Sequence, residues 1–155
     1  MEPSPSNHYL QSHVAALVRS YYELTGRQLI EQTDDLATMA KRVDEAPFFV
    51  ASHGLETDPV LDYGNRCALE LFAMNWEEFT QTPSRLTAEA PNRAERERLL
   101  TSVTEKGFID DYSGVRITAD GRRFRIHQAT VWNVTDESGV KIGQAATFSE
   151  WDFDL

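Results

Sequence analysis

The sequence holds very little sulfur chemistry and no long apolar run. Of its 155 residues one is a cysteine, Cys67, which excludes an intrachain disulfide and a cysteine-built zinc cluster. No apolar stretch approaches the roughly 20 residues that a membrane-spanning helix needs. The opening MEPSPSNHYLQ lacks a basic segment followed by an apolar one, so a cytoplasmic, reduced protein is expected. Basic residues are scarce as well: 15 against 25 acidic ones, a formal net charge of -10. A surface of that sign repels phosphate, so no nucleic acid and no membrane is expected among the partners. Also missing are the nucleophile elbow G-x-S-x-G and the metal-binding spacings H-x₃-H and H-E-x-x-H.

What is present is ordinary globular material, 41% hydrophobic and 26% charged. Residues 1–6, with two prolines and two serines, are expected to be a disordered N-terminus. Residues 7–46 read as a helical extension. Asn7 is placed to cap a helix whose stripe Leu10, Val14, Leu17, Tyr21 and Leu24 repeats every three or four residues until Gly26 stops it. Two heptads are too short for a lone coiled coil, so the stripe packs either on its own domain or on a second copy. A second helix follows Thr33, with Leu36, Met39, Ala40 and Val43 on its apolar face, and Pro47 ends the extension.

From Pro47 onward the texture changes. PFFVASHG and Val60–Tyr63 read as strands, and Asn65 as the cap of a helix carrying Cys67, Ala68, Leu71, Phe72 and Met74. Asn75 with Glu78 makes a capping box, and Asn92 with Glu95 repeats it before a helix that Gly107 closes. Three strands follow, Phe108–Thr118, Arg122–Val134 and Val140–Ser149, the first two joined by an Asp120-Gly121 hairpin turn.

Two strands, several short helices and a three-stranded meander resemble the order of the PAS fold. More closely, SHGLETDPVLDYGNRCALELF, WEEFTQTPSR, GFIDDYSGVRI and VWNVTDESG…GQAATFSEW resemble the bacterial, free-standing members of the PAS-related MEKHLA-domain family. The resemblance covers about residues 47–151. It implies an α+β fold: a PAS-like five-stranded antiparallel sheet with inserted helices, preceded by the N-terminal helical extension. It further implies a non-enzymatic sensory or regulatory module that binds a small molecule or a protein partner in trans, and a homodimer. A purely structural dimerisation module with a filled core is the alternative reading, and a small enzyme using the cavity, with His53 or Asp111 as base, is the third.

No cofactor is expected. Flavin-binding PAS relatives use a cysteine in an Asn-Cys-Arg motif between the later helices, and the region Thr82–Arg93 has none. Haem-binding relatives often supply a histidine from the long helix before the meander, and Arg93–Lys106 has none. Cys67 on an apolar helical face reads as a small hydrophobe. Among the charged residues, Arg93, Arg96 and Arg98, interleaved with Glu95 and Glu97, read as a solvated helix face. Arg85 lies at the expected mouth of a PAS pocket, where it would meet a ligand's carboxylate or phosphate. On the middle meander strand the parity Phe124, Ile126, Gln128, Thr130, Trp132 is taken to face the inserted helices, leaving Ala129 and Val131 as an outer apolar patch. The candidate ligand site is therefore His53, Arg85, Gln128, Thr130 and Trp132. No metal site is expected.

Overall fold

In a computed structural model the chain is described at residues 1–88 and 90–154, side chains at 90–92, 95 and 98 excepted. The helices are α1 (Gln11–Thr25), α2 (Leu36–Asp44), α3 (Arg66–Phe72), α4 (Trp76–Phe79) and α5 (Ala90–Lys106); the strands are β1 (Phe49–His53), β2 (Leu61–Gly64), β3 (Phe108–Ile117), β4 (Arg123–Thr135), β5 (Lys141–Phe148) and β6 (Glu150–Asp152). The strands form one antiparallel sheet in the order β2-β1-β5-β4-β3. The short β6 adds a sixth strand to the expected five: once β5 has left β4 beyond Thr130, β6 pairs with Arg125–His127. Among the described residues no helix is long and apolar enough to cross a membrane.

Each face of the sheet has its own core. The inner face carries Phe49, Ala51, Phe124, Ile126, Ala129, Val131 and Phe148, covered by Ala68, Leu71 and Phe72 of α3 and Val103 of α5. The outer face carries Val50, Tyr63, Trp132, Val134 and Ala145, covered by Val14, Leu17 and Tyr21 of α1 and by α2. The helical stripe is thus spent on its own domain: Val14 and Leu17 are fully buried, and Tyr21 meets Trp132 edge-on at 4.9 Å. Leu10 and Leu24 pack at the margin of the same cluster. Gly26 ends α1 at φ 73°, as glycine allows. Asn7 does not cap α1. Its side chain accepts from the Ser4 amide inside a preceding 3-10 turn, and His8, Tyr9 and Leu10 pass through left-handed conformations before α1 begins. The capping pair Asn92 and Glu95 lies outside the described residues.

The expected parity of β4 fails at one point. Tyr112 of β3 faces Ala129 and Gly114 faces Ile126, so Ser113 opposes two residues, His127 and Gln128. This is a β-bulge, and Gln128 takes its positive φ, 48°. The extra residue turns the strand over. Phe124 and Ile126 face inward before it, Ala129 and Val131 after it, and Thr130, Trp132 and Val134 go to the outer side. Ala129 and Val131 are therefore no outer patch, and α1 rests on Trp132, Val134 and Ala145 instead.

Asn65 ties the elements together. Fully buried, it accepts at Oδ1 from the amides of Ala68 and Val50, and donates from Nδ2 to the carbonyls of Val43 and Phe48. One side chain thus caps α3, satisfies β1 and closes the end of α2. Loss of a helix cap alone costs about 0.5–2 kcal/mol. Asn65→Ala also strands three further buried groups, each worth about 1–3 kcal/mol, so a urea unfolding midpoint far below that of a surface control such as Asn75→Ala is expected. Equal losses in the two variants would refute the hub.

Candidate functional site

Between the inner face and α3, α5 and the 3-10 turn Ser84–Thr87 lies a cavity of about 80 Å³. Its wall is largely apolar: Phe49, Leu61, Phe72, Leu100, Ile126, Ala129, Val131 and Phe148. Polar groups enter from Ser84, Arg96, Tyr112 and Arg116, and separately from His53. Such a wall, apolar with a few placed polar groups, is the usual form of a small-molecule site.

The polar side is unusual in its charge. Arg96 projects from α5 and donates from Nη2 to the buried Ser84 hydroxyl. Burial first, and then the positive charge of Arg116, push Arg96 down to about 10, against the opposing influence of Tyr112 and Glu97. Arg116 comes from β3, with its guanidinium carbon 5.3 Å from the centre of the Tyr112 ring. The residue is partly exposed, but Nη1 is shut off from solvent and has no hydrogen-bond partner. Burial lowers its pKa as well. Neither guanidinium forms an ion pair with a carboxylate among the described residues. Gly114, between Tyr112 and Arg116, keeps this arrangement open: a Cβ there would stand 2.6 Å from the Tyr112 hydroxyl.

His53 closes another part of the wall. Its Nδ1 lies 2.9 Å from the Gly54 carbonyl, which only accepts, so Nδ1 carries the proton. Nε2 is then a buried acceptor with no partner. Burial lowers the pKa of this ring despite the Gly54 bond.

The residues expected to meet here are only partly brought together. His53 lines the cavity. Arg85 does not: it is half-exposed and pairs with Asp58 at 3.0 Å, a carboxylate that the turn before β2 places beside it. Gln128 and Thr130 line a groove on the opposite side of the sheet with Tyr21 and Arg27, and Trp132 is buried under Tyr21. The bulge accounts for all three. Conversely, Arg96 sits in a sequence that reads as a solvated face, yet it turns inward, and Arg116 was not distinguishable among strand residues. Arg98 lies outside the described side chains. A basic residue two positions after a strand glycine and four after a buried tyrosine, as in Tyr112-Ser-Gly-Val-Arg116, is the one local signal that was there to be read.

Nucleophilic chemistry finds little support in the geometry. His13, Ser52 and Asp62 do gather on the outer side, but in the wrong order for a triad: Ser52 donates to Asp62 at 2.5 Å and lies 2.9 Å from His13 Nε2. With the hydroxyl proton committed to the carboxylate, His13 donates to the serine rather than accepting from it. Asp111 is exposed, and Asp110 pairs with Arg27 at 3.3 Å. The cavity does not suit a flavin. It falls well short of the roughly 300–1,000 Å³ of drug-sized pockets, and Cys67 lies elsewhere, its thiol directed toward the Pro47 carbonyl.

The fold is shared with known proteins. The family model described as the MEKHLA domain matches residues 11–153, α1 and α2 included. No curated protein matches the chain. Among solved structures, a PAS domain from Colwellia psychrerythraea superimposes with a TM-score of 0.61 at 16% identity, over 72% of this chain and 92% of that one. The light-state dimer of the fungal blue-light photoreceptor Vivid matches with a TM-score of 0.59 at 14% identity, over 88% and 93%. The PAS domain of a LuxR-family transcriptional regulator from Burkholderia thailandensis, in complex with ethanol, matches with a TM-score of 0.54 at 16% identity, over 69% and 92%. At these identities the likeness shows the fold, an open antiparallel PAS sheet with inserted helices.

Two histidines make stability depend on pH. His13 is lowered by burial, with Asp62 pulling the other way, and His53 by burial, with Arg96 and Lys141 adding to it. Both are neutral in the fold but take up a proton near pH 6.5 when unfolded. Stability is then complete above about pH 6.5 and falls as pH drops toward the folded values, because the unfolded chain binds the extra protons. The thermal midpoint is expected to fall between pH 7.5 and 5.5, and His13→Gln to flatten part of that slope. A midpoint constant over this range would refute the assignment.

Proposed function

The chain belongs to the MEKHLA-domain family, and from that premise we propose that it is a non-enzymatic sensory module whose inner cavity takes a small molecule. The observation that carries this reading is the cavity itself, a half-open, largely apolar space with buried polar atoms of Arg116 and His53 left unpaired. A core built only for stability pairs such atoms or omits them. The size favours a compact ligand. The ethanol complex of the Burkholderia PAS domain is a precedent for a very small occupant of this fold.

Signal transfer would run through β4. Ala129 and Val131 face the ligand, while Thr130, Trp132 and Val134 face away from it, Trp132 and Val134 supporting α1. A ligand that shifts β4 therefore biases how α1 docks, a population shift between docked and released helix. The docking is not free of cost: the Tyr63 hydroxyl and Trp132 Nε1 are buried in that outer core without partners, and each such group opposes burial by about 1–3 kcal/mol. On release, the stripe Leu10, Val14, Leu17, Tyr21 and Leu24 would be open to a second copy or to a protein partner in trans. Self-association is thus a property of the released state, and the light-state dimer of Vivid is a precedent for a dimer within this fold.

Native mass spectrometry of freshly purified protein is expected to show a small-molecule adduct. Ala129→Leu, which fills the cavity from β4, should lack it. Amide exchange along α1 should differ between the adduct-bearing protein and the same protein after ligand stripping. Identical α1 exchange in both would sink the coupling, and an adduct retained by Ala129→Leu would move the ligand out of the cavity.

A further inference from the structure

Resting on that reading, the geometry points to a ligand class: a small carboxylate, its anionic head held by Arg96 and Arg116 and its short apolar body against Phe72, Leu100, Ile126 and Val131. Two guanidiniums face one half-open space, and among the described residues neither has a carboxylate within ion-pair distance, exposed Glu97 acting on Arg96 only from farther off. Like charges in a low-dielectric interior repel, and an unpaired buried cation is costly. An anion between them removes both penalties at once. Arginine's planar fork suits a carboxylate, which it binds through two parallel N–H bonds. Arg116 Nη1, with no partner, is the donor left open for it.

The two arginines are also held in place before any ligand arrives. Ser84 anchors Arg96, and the Tyr112 ring lies beneath Arg116 in the space that Gly114 leaves. Such preorganisation reduces the ordering that binding must otherwise impose. The rest of the wall argues for an organic anion over inorganic phosphate. Most of it is aliphatic or aromatic, and a bare phosphate would leave that surface uncovered. His53 Nε2, a neutral acceptor, would repel an oxyanion and so confines the head to the arginine side. The exterior, at a net charge of -10, does not collect anions indiscriminately.

The test is thermal unfolding of the full chain, at matched ionic strength, with butyrate, with butyramide as its neutral isostere, and with inorganic phosphate. A ligand that binds only the folded state raises the midpoint with concentration. Butyrate is expected to raise it, butyramide and phosphate far less. Arg116→Met and Arg96→Met, each keeping an unbranched apolar side chain, should weaken the apparent butyrate affinity by about tenfold or more, since a charged hydrogen bond is worth roughly 1.5–3 kcal/mol. Two variants guard against one failing to fold. Equal shifts by butyrate and butyramide would overturn the anionic head while leaving a small-molecule cavity in place. A shift by phosphate alone would overturn the carboxylate. A butyrate shift that survives in both variants would place the anion elsewhere and overturn the site. No shift by either organic probe would overturn this inference, and the cavity-binding reading would then stand or fall on its adduct.

Discussion

The structure hangs on the amide of Asn65. A carboxamide is the only side-chain group that offers two acceptor sites and two donors within one plane, and all four are used here at zero exposure. The carbonyl end fixes where α3 starts and how β1 sits beside it. The amino end holds the last turn of α2 and the Phe48 carbonyl. This sets the offset between the helical layer on the outer side and the helices on the inner side. An aspartate would present oxygens to two carbonyls, and a serine would reach only one partner. The cavity and the α1 docking surface are both referred to this one point, because β1 contributes to each.

A single sheet therefore serves two different cores. The inner one is apolar with a cationic corner and unfilled space; the outer one is aromatic and closed, with Tyr21, Trp132, Tyr63 and Trp76 in edge contacts. Communication between them needs no long path. Adjacent residues of β4 project to opposite sides, so a displacement of about one strand thickness is felt by both cores together. The α5 end is fastened separately, through Gln144, Asn133 and the Val103 carbonyl, which keeps the lid of the cavity attached to the sheet at its rim.

Much of this was legible in the sequence where the signal is local, the expected cap at Asn7 excepted. Gly26 ends a helix, Asn65 starts one, Asn75 and Glu78 cap each other, and Asp120-Gly121 turns a hairpin. Each of these acts within four residues, and each stands where its chemistry places it. The site was legible only in part. His53 is where a strand end next to a glycine suggests. Arg85 was drawn off by Asp58, a partner 27 positions away that no local pattern announces. Arg96 was hidden by the alternation of acids and bases around it: only the tertiary position of α5 shows that one member of the run points inward. Gln128 carried no warning at all, since a non-glycine residue at positive φ looks in the sequence like any other strand residue.

That left-handed Gln128 has a consequence for how β4 tolerates change. Along this strand the number of residues decides which side chain goes to which core, and the identity of each residue matters only afterwards. Loss of one residue from the His127-Gln128 pair would restore simple alternation and leave Ala129 facing inward and Trp132 beneath α1, whereas loss of a residue beyond the bulge would exchange the side chains downstream of it. The bulge is thus where β4 can lose a residue and keep its two cores apart, while beyond it length matters more than spelling.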